Sequence, residues 1–101
     1  MKKLYTLLVL TISFSINAQW EYNINGVGIQ TIFSTASGDF STAMGYGTTA
    51  SGTYSTAMGR STTAMGSYST AMGKNTNAIG ENSTAMGEST TAMGSYSTAM
   101  G

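Results

Sequence analysis

Two sets of residues in this chain recur at spacings that could support binding chemistry. The first is an aromatic set at fourteen-residue intervals, with Asn82 in one of its places: Phe40, Tyr54, Tyr68 and Tyr96. The second is a methionine set at the same interval: Met44, Met58, Met72, Met86 and Met100. Aromatic rings offer flat apolar faces, and methionine offers a flexible apolar chain, so both suit contact with a ligand or a partner protein.

The residue types give no support for catalysis or metal binding. The chain has no histidine and no cysteine, which excludes imidazole-based catalysis and thiolate chemistry. Its serines have no base to activate them, and the carboxylates of the repeats stand singly. Gly26-Val27-Gly28 falls short of the dinucleotide-binding fingerprint. We therefore predict no enzymatic activity, no cofactor and no metal site.

Glycine recurs at every seventh position through the second part of the chain, with an alanine two places before each glycine. The series is Gly38, Gly45, Gly52, Gly59, Gly66, Gly73, Gly80, Gly87, Gly94 and Gly101. A fixed internal period is the signature of a repeat architecture. Glycine can adopt positive φ or let two backbones approach closely, so we predict that these residues form structural corners.

The full period is fourteen residues, because the residues after successive glycines alternate between two patterns. One half resembles Tyr54-Ser55 and the other resembles Ser61-Thr62. A helical coiled coil would lose about 1 kcal/mol at each glycine, and strict columns do not suit a disordered linker. We predict an all-β parallel roll, or solenoid, whose fourteen-residue coils contain two short strands and two corners. Residues fourteen apart should stack in register.

The two sides of each predicted strand carry different side chains. Alternation places Ser41 and Ala43 on one side and Thr42 and Met44 on the other. Because a coil this narrow cannot hold large side chains on both walls, we expect alanine and serine inside the coil and methionine on its outer surface. The opposite arrangement stays open. Outward methionines would form a contiguous apolar surface, and a thin coil buries little surface alone, so the methionine set is the candidate interface for self-association.

The residues before the repeats differ from them. Lys2-Lys3 and the apolar run after them are typical of a secretory signal peptide, which we assign to residues 1–18. Residues 19–33 form a lead-in that caps the first coil or remains a flexible terminus, and residues 34–101 form the repeats. Without the signal peptide the net charge is −2, which excludes a basic nucleic-acid surface. The lack of cysteine excludes a disulfide framework.

One stretch of the repeats resembles a known family. Asn75-Thr76-Asn77-Ala78-Ile79-Gly80-Glu81-Asn82-Ser83 is similar to the head repeat of YadA-like trimeric autotransporter adhesins, written N-S-V-A-I-G-x-x-S. Residues 82–87 match its first six positions nearly as well. The other units keep the serine or threonine, the alanine and the glycine but lose the asparagine. The resemblance covers roughly residues 34–101.

This resemblance implies a left-handed parallel β-roll with three chains side by side, displayed on a Gram-negative cell surface. It also implies protein or glycan ligands on host or environmental surfaces. We expect no nucleic-acid contact and no membrane span in this segment. The chain has threonine and methionine where the family favours valine and isoleucine. It reaches Gly101 inside a repeat, so we expect a stalk and anchor to follow that residue or to belong to another chain.

These observations predict a surface-exposed adhesin head or stalk-like roll that mediates attachment. A passive structural spacer in a larger secreted fibre is the alternative, and an ice-binding solenoid is a third hypothesis. Threonine ladders can order water, but adjacent threonines such as Thr48 and Thr49 point to opposite faces, and no strand presents Thr-x-Thr. The aromatic set is the candidate ligand face, or it stabilises one edge of the solenoid.

Overall fold

The computed structural model describes residues 21–22, 29–31 and 33–101. The signal peptide expected at residues 1–18 lies outside these ranges, as does most of the lead-in. The described residues form strands and the turns between them. None of the described residues belongs to a helix long and apolar enough to cross a membrane.

Long and short strands alternate through the repeats. Four long strands have five residues with the sequence Thr-Ala-Met-Gly-X, and the short strands have two residues. In chain order the strands are β1 (Glu21–Tyr22), β2 (Ile29–Gln30), β3 (Thr35–Ala36), β4 (Thr42–Tyr46), β5 (Thr49–Ala50), β6 (Thr56–Arg60), β7 (Thr63–Ala64), β8 (Thr70–Lys74), β9 (Asn77–Ala78), β10 (Thr84–Glu88), β11 (Thr91–Ala92) and β12 (Thr98–Met100).

The strands form two sheets, one on each side of the coil. The long sheet has the order β1-β2-β4-β6-β8-β10-β12, and the short sheet has the order β11-β9-β7-β5-β3. Apart from antiparallel β1 and β2, the described strands pair in parallel. In the repeats, partners are fourteen residues apart, as Ala57 with Ala71 and Thr63 with Asn77. The predicted all-β roll of fourteen-residue coils is confirmed.

After the short strands β3, β5, β7 and β9, two successive N–H groups donate to a single carbonyl. Met65 and Gly66 both donate to the Ala78 carbonyl, at 2.8 and 3.3 Å. A β-turn follows, in which the Ser69 N–H donates to the Gly66 carbonyl at 3.2 Å and Tyr68 has a φ of 58°. Positive φ at the third residue is the feature of a type II turn. We call this bend the turn corner.

Each long strand is followed directly by a residue with a φ between 54° and 66°. Ser61, for example, has a φ of 54°, and its N–H donates to the Tyr46 carbonyl of the preceding coil at 2.9 Å. The next short strand begins two residues later, at Thr63. We call this tighter bend the strand corner. The two halves of the coil therefore reverse direction by different backbone conformations.

Residues 29–31 stack on the first long strand of the repeats. The strand β2 pairs with β4 at a spacing of thirteen residues, one fewer than between later coils. Gln30 Oε1 accepts a hydrogen bond from the Ala36 N–H at 2.9 Å, and Thr31 Oγ1 accepts one from the Gly45 N–H at 3.2 Å. These contacts give partners to backbone groups at the edge of the first coil, where an open edge would invite pairing with another chain.

Alanine fills the centre of the coil. Nine alanines are at most 2% exposed: Ala36, Ala43, Ala50, Ala57, Ala64, Ala71, Ala78, Ala85 and Ala92. The serine or threonine two places before each alanine is also buried from Ser34 to Ser83, and the largest fully buried side chains are threonines such as Thr62. The expectation that small residues line the interior is confirmed. The core therefore contains no large apolar side chain among the described residues.

Most of the interior hydroxyls have no hydrogen-bond partner. Ser41 Oγ donates to the Gly38 carbonyl at 2.6 Å. Within the described ranges, the buried hydroxyls without a partner are those of Thr48, Ser55, Thr62, Ser69, Thr76, Ser83 and Ser97. Leaving a buried polar group unpaired costs about 1–3 kcal/mol. These hydroxyls therefore contribute volume to the interior rather than hydrogen bonds.

Thr62→Val should raise the free energy of unfolding by about 1 kcal/mol, because valine keeps the shape of threonine and removes an unpartnered hydroxyl. Urea unfolding followed by far-UV circular dichroism measures the change. Ser41→Ala is the control and should lower the free energy of unfolding by about 1 kcal/mol, because its hydroxyl is bonded. A loss of stability in Thr62→Val would contradict the assignment.

Candidate functional site

The long sheet carries the methionine set on its outer surface. These methionines form one column: Met44, Met58, Met72, Met86 and Met100. We call this column, together with the threonine two places before each methionine, the methionine face. In-register pairing places neighbouring methionines side by side, as Met58 with Met72. The first four are half-buried, and Met100 is 70% exposed. The face is thus one continuous apolar column beside a column of threonine.

The short sheet has a less continuous apolar column. Its equivalent residues are Ser37, Ser51, Met65, Ile79 and Met93. The first two are serine, so apolar side chains begin only at Met65, which is 48% exposed. The methionine face is therefore the longer of the two apolar columns in the described coils.

The glycine series occupies two different places in the coil. Four are the fourth residue of a long strand and have φ between 114° and 124°: Gly45, Gly59, Gly73 and Gly87. Four follow a short strand: Gly38, Gly52, Gly66 and Gly80. At all eight, an added Cβ would overlap the carbonyl oxygen of the equivalent glycine in the next coil. A Cβ at Gly94 or Gly101 would meet only side-chain atoms. Close approach between coils therefore requires glycine at these eight positions.

The positive-φ residue of each corner lies two places after a glycine. Nine such residues have φ between 54° and 66°: Phe40, Gly47, Tyr54, Ser61, Tyr68, Asn75, Asn82, Ser89 and Tyr96. Asparagine tolerates this left-handed conformation better than most residues, which explains the asparagine that opens the motif at Asn75 and Asn82. A bulky side chain is unusual there, so the tyrosines and Phe40 gain something that offsets the strain.

The aromatic set forms a stack along the turn corners. The ring centres of Phe40 and Tyr54 are 5.2 Å apart with planes at 10°, and those of Tyr54 and Tyr68 are 5.2 Å apart at 9°. We call these three residues the aromatic ladder. Aromatic pairs stabilise by about 0.5–1.5 kcal/mol, which offsets much of a cost of about 1–2 kcal/mol for left-handed backbone. Each ring is at least half exposed, so the ladder is open to a ligand.

A second aromatic contact lies at a strand corner, and sequence reasoning did not find it. Phe33 and Tyr46 have ring centres 5.6 Å apart and planes tilted by 51°. The first coil is one residue shorter than the others, so this pair is separated by thirteen positions and falls outside the fourteen-residue series. Both side chains are exposed. The spacing of thirteen residues between Phe33 and Tyr46 is the feature of the sequence that could have indicated this contact.

The charged side chains of the repeats are exposed and lie beside the corners. Lys74 Nζ donates to Glu88 Oε1 at 2.8 Å across neighbouring coils. Both side chains are more than half exposed, so this ion pair stabilises by at most about 1 kcal/mol. Among the residues that the structure describes, no cluster of three histidine, cysteine, aspartate or glutamate residues could hold a metal ion. The site is thus a set of contact surfaces.

The coils match a known family of repeats. The YadA head domain repeat matches residues 32–48, 50–76 and 78–101. The chain belongs to the YadA head family. Comparisons with curated proteins and with solved structures find no match. The resemblance of the repeats to YadA-like heads is thus confirmed.

YadA head repeats are parts of trimeric autotransporter adhesin-like proteins, which are of a structural and adhesive type rather than an enzymatic one. The matched residues begin just after β2 and cover the stacked coils of the structure. In this YadA head the methionine face is half-buried along most of its length, and the aromatic ladder is exposed.

Proposed function

We propose that this YadA head forms a homotrimer through the methionine face and mediates attachment to host or environmental surfaces through its remaining sides. One observation carries the proposal: a continuous column of partly exposed methionines covers a coil whose interior is alanine, serine and threonine. Its partner would be two further copies of the same chain.

The small core is the first support for association. Ordering the backbone costs about 1–2 kcal/mol per residue, and alanine and serine side chains offset little of that cost. Fully burying a methionine contributes about 1.5–3 kcal/mol. Covering the methionine face in a trimer therefore adds the apolar burial that a single coil lacks.

The parallel stacking of coils is the second support. Neighbouring methionines are in register along the whole column, for example Met72 with Met86. Three such straight columns can meet around one threefold axis without a change of register, as a closed cyclic assembly requires. The aromatic ladder would then remain on the outside if the turn corners point away from the axis.

A surface location follows from the same proposal. The expected signal peptide at residues 1–18 would direct export, and an anchor after Gly101 or in another chain would hold the head at a Gram-negative cell surface. Attachment would then use protein or glycan ligands.

A passive spacer is the second candidate, and the uniformity of the coils favours it. Long strands repeat Thr-Ala-Met-Gly with little change, so each coil adds nearly the same surface as the one before. A spacer needs only length, whereas an adhesive head needs particular side chains on its outer surface.

Exchange of one coil at constant length separates the two functions. In a surface-anchored chain, residues 84–97 are replaced by a copy of residues 70–83, which removes Tyr96 and supplies the Asn82 type of turn corner. An adhesive head should lose at least about tenfold in cell attachment, as expected when an interface loses an aromatic anchor. A spacer should attach as before. In the control, deletion of residues 42–55 shortens the roll by one coil and should impair a spacer.

A further inference from the structure

The aromatic ladder has a gap after its third ring. Phe40, Tyr54 and Tyr68 stack in succession, but the next turn corner carries Asn82 and the one after it carries Tyr96. Tyr68 is 56% exposed and Tyr96 is 79% exposed. The gap therefore lies between the coil that carries Tyr68 and the coil that carries Tyr96.

The width of this gap follows from the spacing of the ladder. The three corners share one backbone conformation, with φ of 58° at Tyr68, 54° at Asn82 and 61° at Tyr96. Neighbouring rings in the ladder are 5.2 Å apart, so two steps place the Tyr68 and Tyr96 ring centres about 10 Å apart. Asparagine is much shorter than tyrosine, so its side chain fills little of the space that a ring would occupy there. We call the space between Tyr68, Asn82 and Tyr96 the corner slot.

The corner slot has an acidic side chain beside it. Glu81 precedes Asn82 in the same turn, is exposed, and has no ion pair among the described residues. The residues at the same place in the other turn corners are Asp39, Thr53, Ser67 and Ser95. Arg60 and Lys74 lie at the strand corners, at the ends of β6 and β8. The charge around the slot therefore favours a cation.

The width of the slot distinguishes between kinds of cation. A planar guanidinium contacts two rings about 7 Å apart, because each van der Waals contact spans about 3.5 Å. A trimethylammonium group, with methyl carbons about 2.5 Å apart, spans two ring planes about 9.5 Å apart, which matches two coil steps at the strand spacing of about 4.8 Å. At the midpoint its charge lies about 5 Å from each ring centre, within the cation–π range of about 6 Å. We infer that the corner slot binds a quaternary ammonium group between Tyr68 and Tyr96, facing the Glu81 carboxylate.

This inference rests on the proposed use of the aromatic edge as a ligand surface and names the ligand chemistry. An asparagine at position 82 does not by itself indicate a binding site, because Asn75 occupies a strand corner with nearly the same positive φ. What points to a ligand is the combination of two tyrosines at equivalent places in the coils on either side of Asn82 and a Glu81 carboxylate without an ion pair among the described residues.

Titration of the full chain with choline tests the corner slot directly. The side-chain amide of Asn82 and the rings of Tyr68 and Tyr96 are followed by NMR at constant ionic strength. Choline should shift these signals and saturate in the millimolar range. Its neutral isostere 3,3-dimethylbutan-1-ol should bind about tenfold more weakly, because it lacks attraction to two ring faces. Equal binding of the two compounds, or no shift with choline, would overturn the inference.

Two substitutions locate the binding. Asn82→Tyr adds the missing ring, keeps the corner conformation already held by Tyr68, and should abolish choline binding by filling the slot. Glu81→Gln should weaken binding about threefold, as expected for an exposed charge contact. Glu88→Gln, which removes a carboxylate at a strand corner, should leave binding unchanged. Choline binding retained by Asn82→Tyr would place the site elsewhere and refute the slot.

Vesicles distinguish the source of the ammonium group. Retention of the chain on phosphatidylcholine vesicles but not on phosphatidylglycerol vesicles would identify a lipid headgroup, and choline binding without retention would identify a soluble ligand. Both results support the slot. If displayed chains still attach to surfaces while choline fails to bind, the slot is wrong and the proposed adhesive function stands.

Discussion

Gly73→Ala is expected to lower the free energy of unfolding by at least about 4 kcal/mol, a large part of the stability of a small domain. The added Cβ would overlap the Gly87 carbonyl oxygen in the next coil, and a φ of +118° disfavours any side chain. Gly66→Ala creates the same kind of overlap with Gly80 without positive φ, so it should cost somewhat less. Urea unfolding followed by far-UV circular dichroism measures both.

Gly47→Ser is the matched control for these substitutions. Gly47 also has positive φ, +66°, but a Cβ there would meet only the Ser61 hydroxyl at 3.8 Å, an ordinary contact. Serine already occupies the equivalent strand corners at Ser61 and Ser89. The variant should lose no more than about 1 kcal/mol. Equal losses in Gly47→Ser and Gly73→Ala would show that close approach of the coils is not what requires glycine.

Changing Met58, Met72 and Met86 together to aspartate is expected to dissociate the proposed trimer. The three side chains are neighbours in one column, so the variant would place three like charges in an interface that should be apolar. The chain is fused through a cleavable linker to a trimeric coiled coil and cleaved after folding. Sedimentation should then show a trimer for the unmodified chain and monomeric or aggregated material for the variant.

The short sheet provides the control for this prediction. Changing Met65, Ile79 and Met93 to aspartate adds the same number of charges to the opposite surface, where the side chains are more exposed. This variant should remain trimeric after cleavage. A stable folded monomer of the unmodified chain would refute the trimer, and dissociation of the control alone would assign the interface to the short sheet.

The fold was predictable because side-chain size varies with a strict period. Each glycine has an alanine two places before it and a serine or threonine four places before it, as at Ser41 and Thr48. Side chains this small can fill a narrow interior in only a few ways. Strand alternation then directs residues such as Met58 outward. The fourteen-residue register followed from the difference between the two half-repeats and is confirmed by the pairing of β6 with β8.

The corner conformations were not predictable to the same degree. Which residue adopts positive φ depends on hydrogen bonds between coils, such as that from the Tyr68 N–H to the Thr53 carbonyl at 2.8 Å. Conformational preference alone disfavours a tyrosine at that place. The contact between Phe33 and Tyr46 depends on a coil one residue shorter than the rest. The trimer proposed for the methionine face depends on contacts between chains, which the side-chain period of one chain does not determine.

In-register stacking of near-identical coils also has a genetic consequence. Each coil contacts only the coils directly before and after it, so stability is close to a sum of units and nearest-neighbour terms. Loss of the fourteen codons for residues 56–69 during replication would join Ser55 to Thr70, and the alanines and glycines of the remaining coils would still pair with their equivalents. Gain of fourteen codons would add one coil with the same pairing. A change that is not a multiple of fourteen codons would leave one coil longer or shorter than its neighbours, as in the thirteen-residue spacing between β2 and β4. The length of this roll can therefore evolve in whole coils, one recombination event at a time.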